Sequence, residues 1–381
     1  MNIAPKFRIF GLDLLRAIAI SLVVISHITY LLNFNESSIL VISVRALGAI
    51  GVDLFFVLSG FLIGGIILKR IHSGKTTFKH LIVFWKRRWL RTLPNYFLIL
   101  LLNIIVFYLI KDSFEKNLIH YFFFFQNFNS GHPSFFSEAW SLSVEEYAYI
   151  LLPFILYLNF YIFKTNKKEK LFLWTTFATI IILGILKVFF FQSHSFSSYK
   201  EWSNLYRKVV IYRIDAIYIG FLLVYFMKKY TYYFEKRRKM FFVVGTSIFL
   251  LLHLFMNSFG IRPETHSWFY VFIYLQAIIL SIGLIFPFFY HLKYKGIFFK
   301  PIEFISLHSY AIYLINYSLI LIPIQKIVDV STLNIFEKIG IIFSFLSLTL
   351  VLSRMLFVGF EKPILDYRDK KYSRVQSTQS F

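Results

Sequence analysis

An all-α, polytopic membrane bundle of about ten transmembrane helices is the fold class this sequence predicts, on three observations. The chain of 381 residues is 58% hydrophobic, with a mean hydropathy of +0.66, and a soluble protein of that length needs far more polar surface. Its apolar residues fall in blocks of roughly 20, the length at which a helix crosses a bilayer. Lys and Arg gather in the loops of one side. The blocks lack the period-two alternation of a membrane barrel, and backbone polar groups in lipid must be satisfied within the segment, so helices are the expected element.

The expected spans are 12–33, 46–68, 89–110, 147–163, 171–191, 209–227, 240–259, 266–289, 302–324 and 336–360. Lys6 and Arg8 before an apolar run mimic a secretory signal, but the run is too long and no small-residue cleavage site follows. It is expected to be a retained first helix. The stretch 120–128, HYFFFFQNF, is too short to cross and is expected to be interfacial or re-entrant. With the N-terminus inside, about 28 of the 41 Lys and Arg fall in inner segments and about 8 in outer loops. Both termini are therefore expected in the cytoplasm. The same imbalance accounts for most of the formal charge of +22 without any nucleic acid. Residues 1–368 are expected to form one transmembrane domain, followed by a polar, disordered cytoplasmic tail over 369–381. The chain has no cysteine, which excludes disulfides, thiol nucleophiles and thiolate metal sites.

Ionisable residues inside spans are costly and mark function. Arg16 and His27 are eleven positions apart on the first helix, about three turns plus 20°, so they share a face about 16 Å apart along the axis. Asp13, one turn before Arg16, can pair with it. Asp53 lies at a depth close to that of His27, where a carboxylate could orient an imidazole or merely pair locally. Gly60 and Gly64 form a small-xxx-small pair that reads as helix packing. Lys86, Arg87, Arg88 and Arg91 cluster at the inner surface, either as topology signals or as a phosphate clamp. Trp140 is an interface anchor or part of an acceptor site. Glu145 and Glu146 could cap the helix, and Glu145 could instead join an outer mouth with His27 and Asp53. Arg213 and Asp215 lie near the same outer surface, as an ion pair or as substrate ligands.

Taken in order, these segments resemble acyltransferase family 3 of membrane O-acyltransferases. The resemblance covers nearly the whole chain. Its elements are Arg16 and His27 separated by ten residues, GVDLFFVLSGFLI at 51–63, RRWLRTLPNY at 87–96, WSLSVEEY at 140–147, YRIDAIYIG at 212–220, SYAIYLIN at 309–316 and FEKP at 360–363. The resemblance implies an enzyme that takes acyl groups, usually acetyl, from cytoplasmic acyl-CoA and places them on an envelope glycan such as O-antigen, exopolysaccharide or peptidoglycan. It implies Arg16 and His27 as the functional pair and Arg87, Arg88 and Arg91 as the donor's ligands, with no metal. Asp53 or Glu145 would steady an imidazolium; Trp140, Arg213, Asp215 and Asn316 would face the acceptor. Some members carry a fused esterase-like domain, which is not expected here. One position departs from the pattern: Asn316 stands where members often have His, and an amide cannot take a proton at neutral pH. His27 could act as a general base or carry the acyl group transiently. Two rival classes stay open at this stage. One is the other family of membrane O-acyltransferases, for which His308 and Asn316 are the late candidates. The other is a transporter or flippase of a glycan or acyl carrier.

Overall fold

In the computed structural model, which describes residues 8–32, 34 and 38–377 (side chains of Ile39 and 373–377 excepted), ten helices are long and apolar enough to cross a membrane. They are α1 Phe10–Leu31, α2 Leu40–His72, α3 Phe78–Lys111, α4 Ala139–Phe163, α5 Lys168–Ser193, α6 Val210–Lys229, α7 Arg238–Ser258, α8 Ser267–Tyr290, α9 Phe299–Ile327 and α10 Ile335–Tyr372. Each matches one expected span. There is no strand among the described residues.

The differences lie at the polar ends of the helices. α3 begins at Phe78, so the basic run is helix and the loop before it shrinks to residues 73–77. Lys and Arg are good helix formers, and nothing between His80 and Arg91 breaks the turn. With 34 residues α3 is about 51 Å long, well beyond a hydrocarbon core of about 30 Å. α4 begins at Ala139 rather than 147, which draws WSLSVEEY into the bundle. Asn334 and Glu337 cap the start of α10 reciprocally, through bonds of 3.0 and 2.8 Å. The tail expected to be disordered continues as helix from Lys362 to Ser377; residues 378–381, like Lys6, lie outside the described residues.

α1 packs between α2 and α9, α2 also packs along α6, and α7 leans on α8. α2 and α6 are the most enclosed helices, while α7 and α10 bury least and present apolar flanks outward. Backbone meets backbone where α2 crosses α6. A Cβ at Gly60 would fall inside van der Waals distance of the Ile217 carbonyl oxygen, and one at Gly220 would meet the Val57 carbonyl. The Gly64 position abuts Val224 and Phe221, so both glycines of the pair serve packing. Gly60→Ala is expected to cost about 1–3 kcal/mol by prising this crossing apart, measured as a lower melting temperature in detergent. An unchanged melting curve would show that α2 and α6 have slack here.

The 112–138 connection is tied down. Its HYFFFFQNF stretch forms a short helix, Ile119–Phe122, and a tight turn, Phe125–Asn127, neither able to cross. The Tyr96 hydroxyl donates to Tyr121 O at 2.8 Å, and the Tyr121 hydroxyl to Phe135 O at 2.8 Å. Asn127 Nδ2 bridges Trp140 O and Lys208 O at 3.1 and 2.6 Å. His132 is buried beside Lys208, and burial above all pushes its pKa down to about 3. The connection thus forms a fixed cover over the ends of α3 and α4.

Candidate functional site

His27 lies four residues from the end of α1, about 6 Å from it, at the opposite end of the bundle from that helix's start. Its Nδ1 makes a close hydrogen bond with Asn316 Oδ1. Asn316 is fully buried on α9, and its Nδ2 donates to Ile312 O at 2.6 Å and Tyr313 O at 3.0 Å. Both amide hydrogens are thus committed to carbonyls, so the amide oxygen faces the ring. Against that acceptor Nδ1 must carry the hydrogen, which leaves the Nε2 lone pair available as a base. Asn316 opens a π-helical turn, Asn316–Leu321, a local widening that often accompanies functional sites. Tyr317 of the same turn packs on the imidazole with centroids 4.8 Å apart; Tyr30 closes the other side at 6.5 Å, under the Arg45 guanidinium.

Arg16 sits on the same helix face, about 16 Å from His27 along the axis. Its Nη1 is 3.3 Å from both Asp13 Oδ1 and Ser306 Oγ. Asp13 additionally accepts from Arg8 at 2.7 and 2.9 Å and from Ser306 at 2.7 Å. The Asp13–Arg16 pair expected from spacing is present, within a larger knot that ties α1 to α9.

Glu145, expected at the outer mouth, is turned into the bundle instead. Arg88 Nη2 approaches its Oε2 at 3.3 Å and donates to the Tyr149 hydroxyl at 2.8 Å. Tyr149 in turn bonds Glu145 at 2.5 Å, and Ser59 donates to the same carboxylate at 3.3 Å. Neither Glu145 nor Glu146 caps α4; Glu146 accepts from Thr92 at 2.7 Å. The three arginines expected to act together diverge. Arg88 belongs to this buried knot. Arg87 points toward the end of α10, 3.9 Å from Asp369 and over the Tyr372 ring. Arg91 is exposed, makes no hydrogen bond or ion pair among the described residues, and lies within the fields of Arg16, Arg88 and Glu361.

Asp53 does not meet His27. It forms a buried ion pair with Arg213, and Asp215 forms a separate one with Lys187 while accepting from Gln276 at 3.2 Å. Arg213 and Asp215 are therefore not partners of each other. The physical reason is their spacing, since residues two apart on one helix point about 200° apart and so meet different neighbours. Trp140 is 5% exposed and is not an interface anchor. It stands edge-on to Phe56 at 5.7 Å, with the Arg207 guanidinium 5.0 Å from its ring centre. His308 Nδ1 donates to Phe304 O at 2.7 Å and the ring packs on Phe357, so it makes no contact with Asn316 or His27 in the described structure.

Four further residues were not singled out as site candidates by sequence: Glu138, Tyr149, Lys187 and Arg207. Lys187, inside the apolar run LGILKVFFF, carried a usable signal as an intramembrane charge. Glu138 ends the connection just before α4. Its Oε1 accepts from Ser318 Oγ at 2.5 Å and from Ser318 N at 3.1 Å, and burial pushes its pKa up to about 7.

A polar column thus runs through α1, α2, α3, α4 and α9. It begins at Arg91 and Arg16, continues through Arg88, Glu145 and Tyr149, passes the Ser141–Tyr313 hydroxyl pair at 2.7 Å, and ends at Glu138, Asn316 and His27. Cationic groups stand at one end, and a half-buried base with a set tautomer stands at the other. No metal-binding cluster of three or more His, Asp or Glu occurs among the described residues.

Comparison with known proteins bears on this arrangement. A family model described as "Acyltransferase domain" matches residues 9–357. A putative peptidoglycan O-acetyltransferase, YrhL, of Bacillus subtilis is 28% identical, covering 96% of this chain and 56% of the relative. The peptidoglycan O-acetyltransferase OatA of Listeria monocytogenes is 26% identical, over 93% of this chain and 55% of its own. The O-acetyltransferase OatA of Staphylococcus aureus is 26% identical, over 81% and 50%. The chain spans about half the length of the curated relatives it matches. No solved structure matches it.

Proposed function

The chain belongs to the acyltransferase family whose domain model covers residues 9–357, and on that premise we propose that it moves an acyl group, acetyl first of all, from cytoplasmic acyl-CoA to a hydroxyl of an extracytoplasmic glycan. The relatives named for peptidoglycan O-acetylation make peptidoglycan the first acceptor to try. The observation that carries this reading is the Nδ1–H tautomer that Asn316 imposes on His27, at the far end of a polar column from an unpaired arginine.

The donor approaches from the end where α1 begins, which the Lys and Arg imbalance assigns to the cytoplasm. Arg91 is the guanidinium free to take a phosphate there, with Arg16 contributing positive field; Arg87, one turn earlier on α3, is turned toward the end of α10. The acylated arm extends inward along the column. At the other end a sugar hydroxyl attacks the thioester carbonyl, and His27 Nε2 takes its proton. The C–O bond forms as the C–S bond breaks, and the departing thiolate recovers the proton as CoA thiol. Arg88 and Glu145 neutralise each other midway, so the column crosses lipid without an uncompensated charge.

The test is transfer of label from radiolabelled acetyl-CoA to a peptidoglycan fragment by purified protein in nanodiscs. Arg91→Ala is expected to raise KM for acetyl-CoA about tenfold or more, the worth of one charge-assisted contact, and to leave KM for the glycan unchanged. Intact protein that neither transfers acetyl nor releases CoA would turn the same polar column into the lining of a transport path.

A further inference from the structure

The buried carboxylate of Glu138 is only half used. Oε1 is held by the hydroxyl and backbone N–H of Ser318, two residues past Asn316 on the same π-helical turn. Oε2 is fully buried and has no hydrogen-bond partner among the described residues. A buried acceptor left bare costs free energy, and one on a carboxylate anchored to a functional turn invites a donor that arrives with the substrate. The surroundings are those of a hydroxyl-rich ligand's subsite. Tyr317 feels the charge of Glu138 and packs on His27, and Tyr30 stands edge-on to Tyr317 at 6.5 Å. Tyr317 thus touches the imidazole and stands in the field of the carboxylate, so one turn of α9 links the two groups.

We infer that Glu138 is an acceptor-binding residue, its free Oε2 taking a hydrogen bond from a hydroxyl of the sugar that His27 deprotonates at a neighbouring hydroxyl. This deepens the acyltransfer reading and rests on it. The carboxylate is positioned before the ligand arrives, since Ser318 holds its other oxygen. Its charge strengthens the hydrogen bond over a neutral acceptor. The titratable groups in the field of Glu138 are Tyr313 and Tyr317 of α9; Arg207, from the segment before α6, acts on Tyr313, and Tyr30 of α1 and Arg45 of α2 act on Tyr317. Because burial raises its pKa to about 7, the charged form prevails above that pH and is lost below it. Acceptor affinity then falls as pH drops through about 7.

Two measurements on purified protein in nanodiscs test this. In the transfer assay, Glu138→Gln is expected to raise KM for the glycan about tenfold, leave KM for acetyl-CoA unchanged, and abolish the acid limb near pH 7. Glu138→Asp, which keeps the charge but withdraws it, should keep the limb and lose part of the affinity, and it serves if the glutamine variant misfolds. Independently of turnover, the infrared difference between wild type and Glu138→Gln should contain a carboxyl band titrating near pH 7. In the wild type a peptidoglycan oligosaccharide should shift that titration downward, because a hydrogen bond to the charged form favours it. An acid limb and glycan KM unchanged in Glu138→Gln would give the limb to another group, His27 first, and overturn the proposal. A glycan-dependent band shift in a protein that transfers no acetyl would uphold Glu138 and remove the acyltransfer reading instead.

Discussion

Replacing His27 with alanine is expected to lower kcat for acetyl transfer by about 10²–10⁴, with KM for acetyl-CoA and the melting temperature close to wild type. The magnitude is that of a general base removed from a site whose other parts remain in place. The donor end is untouched, since Arg91 and Arg16 lie about three turns away along α1 and on α3. Asn316 sharpens the test. It contacts no reacting atom in this scheme and acts by holding the ring. Asn316→Leu removes the acceptor facing Nδ1, frees the imidazole to turn, and is expected to cost about 10²-fold in kcat. Asn316→Asp keeps an acceptor at Nδ1 and makes the ring more basic, so it should retain much of the rate and move the acid limb of kcat upward. A structural role alone would not split leucine from aspartate in this way. Wild-type turnover in a well-folded His27→Ala protein would remove the imidazole from the chemistry altogether.

The same residue shows what can be read from one dimension. Ten helices were legible because an apolar block of bilayer length has one structural solution in lipid. The shared face of Arg16 and His27 was legible because it depends only on helical pitch. Which neighbour each charge meets was not, because spacing sets a face and a depth but not the helix packed against it. Asp53 was expected level with His27, yet Gly51 packs against Ala19 and Val23 of α1, which puts Asp53 about two turns further in, and it looks toward α6 and Arg213 rather than toward α1. Glu145 was placed at the wrong depth, because α4 starts eight residues before the expected boundary at 147. That carries Glu145 about 9 Å inside the helix start, to the level of Arg88. Hydropathy windows end at the first charges, so they clip the helical turns in which a membrane enzyme keeps its polar residues. Asn316 was flagged only as a departure from a pattern. Its service as the imidazole's partner depends on a contact across 289 positions of sequence, which no local signal carries.

Arg213→Ala is expected to be the most destabilising single change in the bundle, at about 3–5 kcal/mol, seen as loss of monodisperse protein or a large fall in melting temperature. The Arg213 side chain is fully buried and that of Asp53 is 3% exposed, so deleting the guanidinium strands a carboxylate with no water to take its place. Asp53→Asn strands the cation instead, and Arg213 Nε and Nη1 already lack partners among the described residues. Removing both charges together, as Asp53→Asn with Arg213→Gln, should therefore be milder than either single change. That sign of coupling is expected when the cost comes from the charge left behind rather than from the bond lost. The pair joins α2 to α6 beside the backbone crossing at Gly60 and Gly220, so its loss should act on how much protein folds and leave kcat per folded molecule nearly intact. The contrary result is equally specific. An Arg213→Ala protein that melts like wild type but binds the glycan poorly would make the ion pair a resting-state latch. Its guanidinium would then turn to the acceptor, the role its place at the outer end of α6 first suggested.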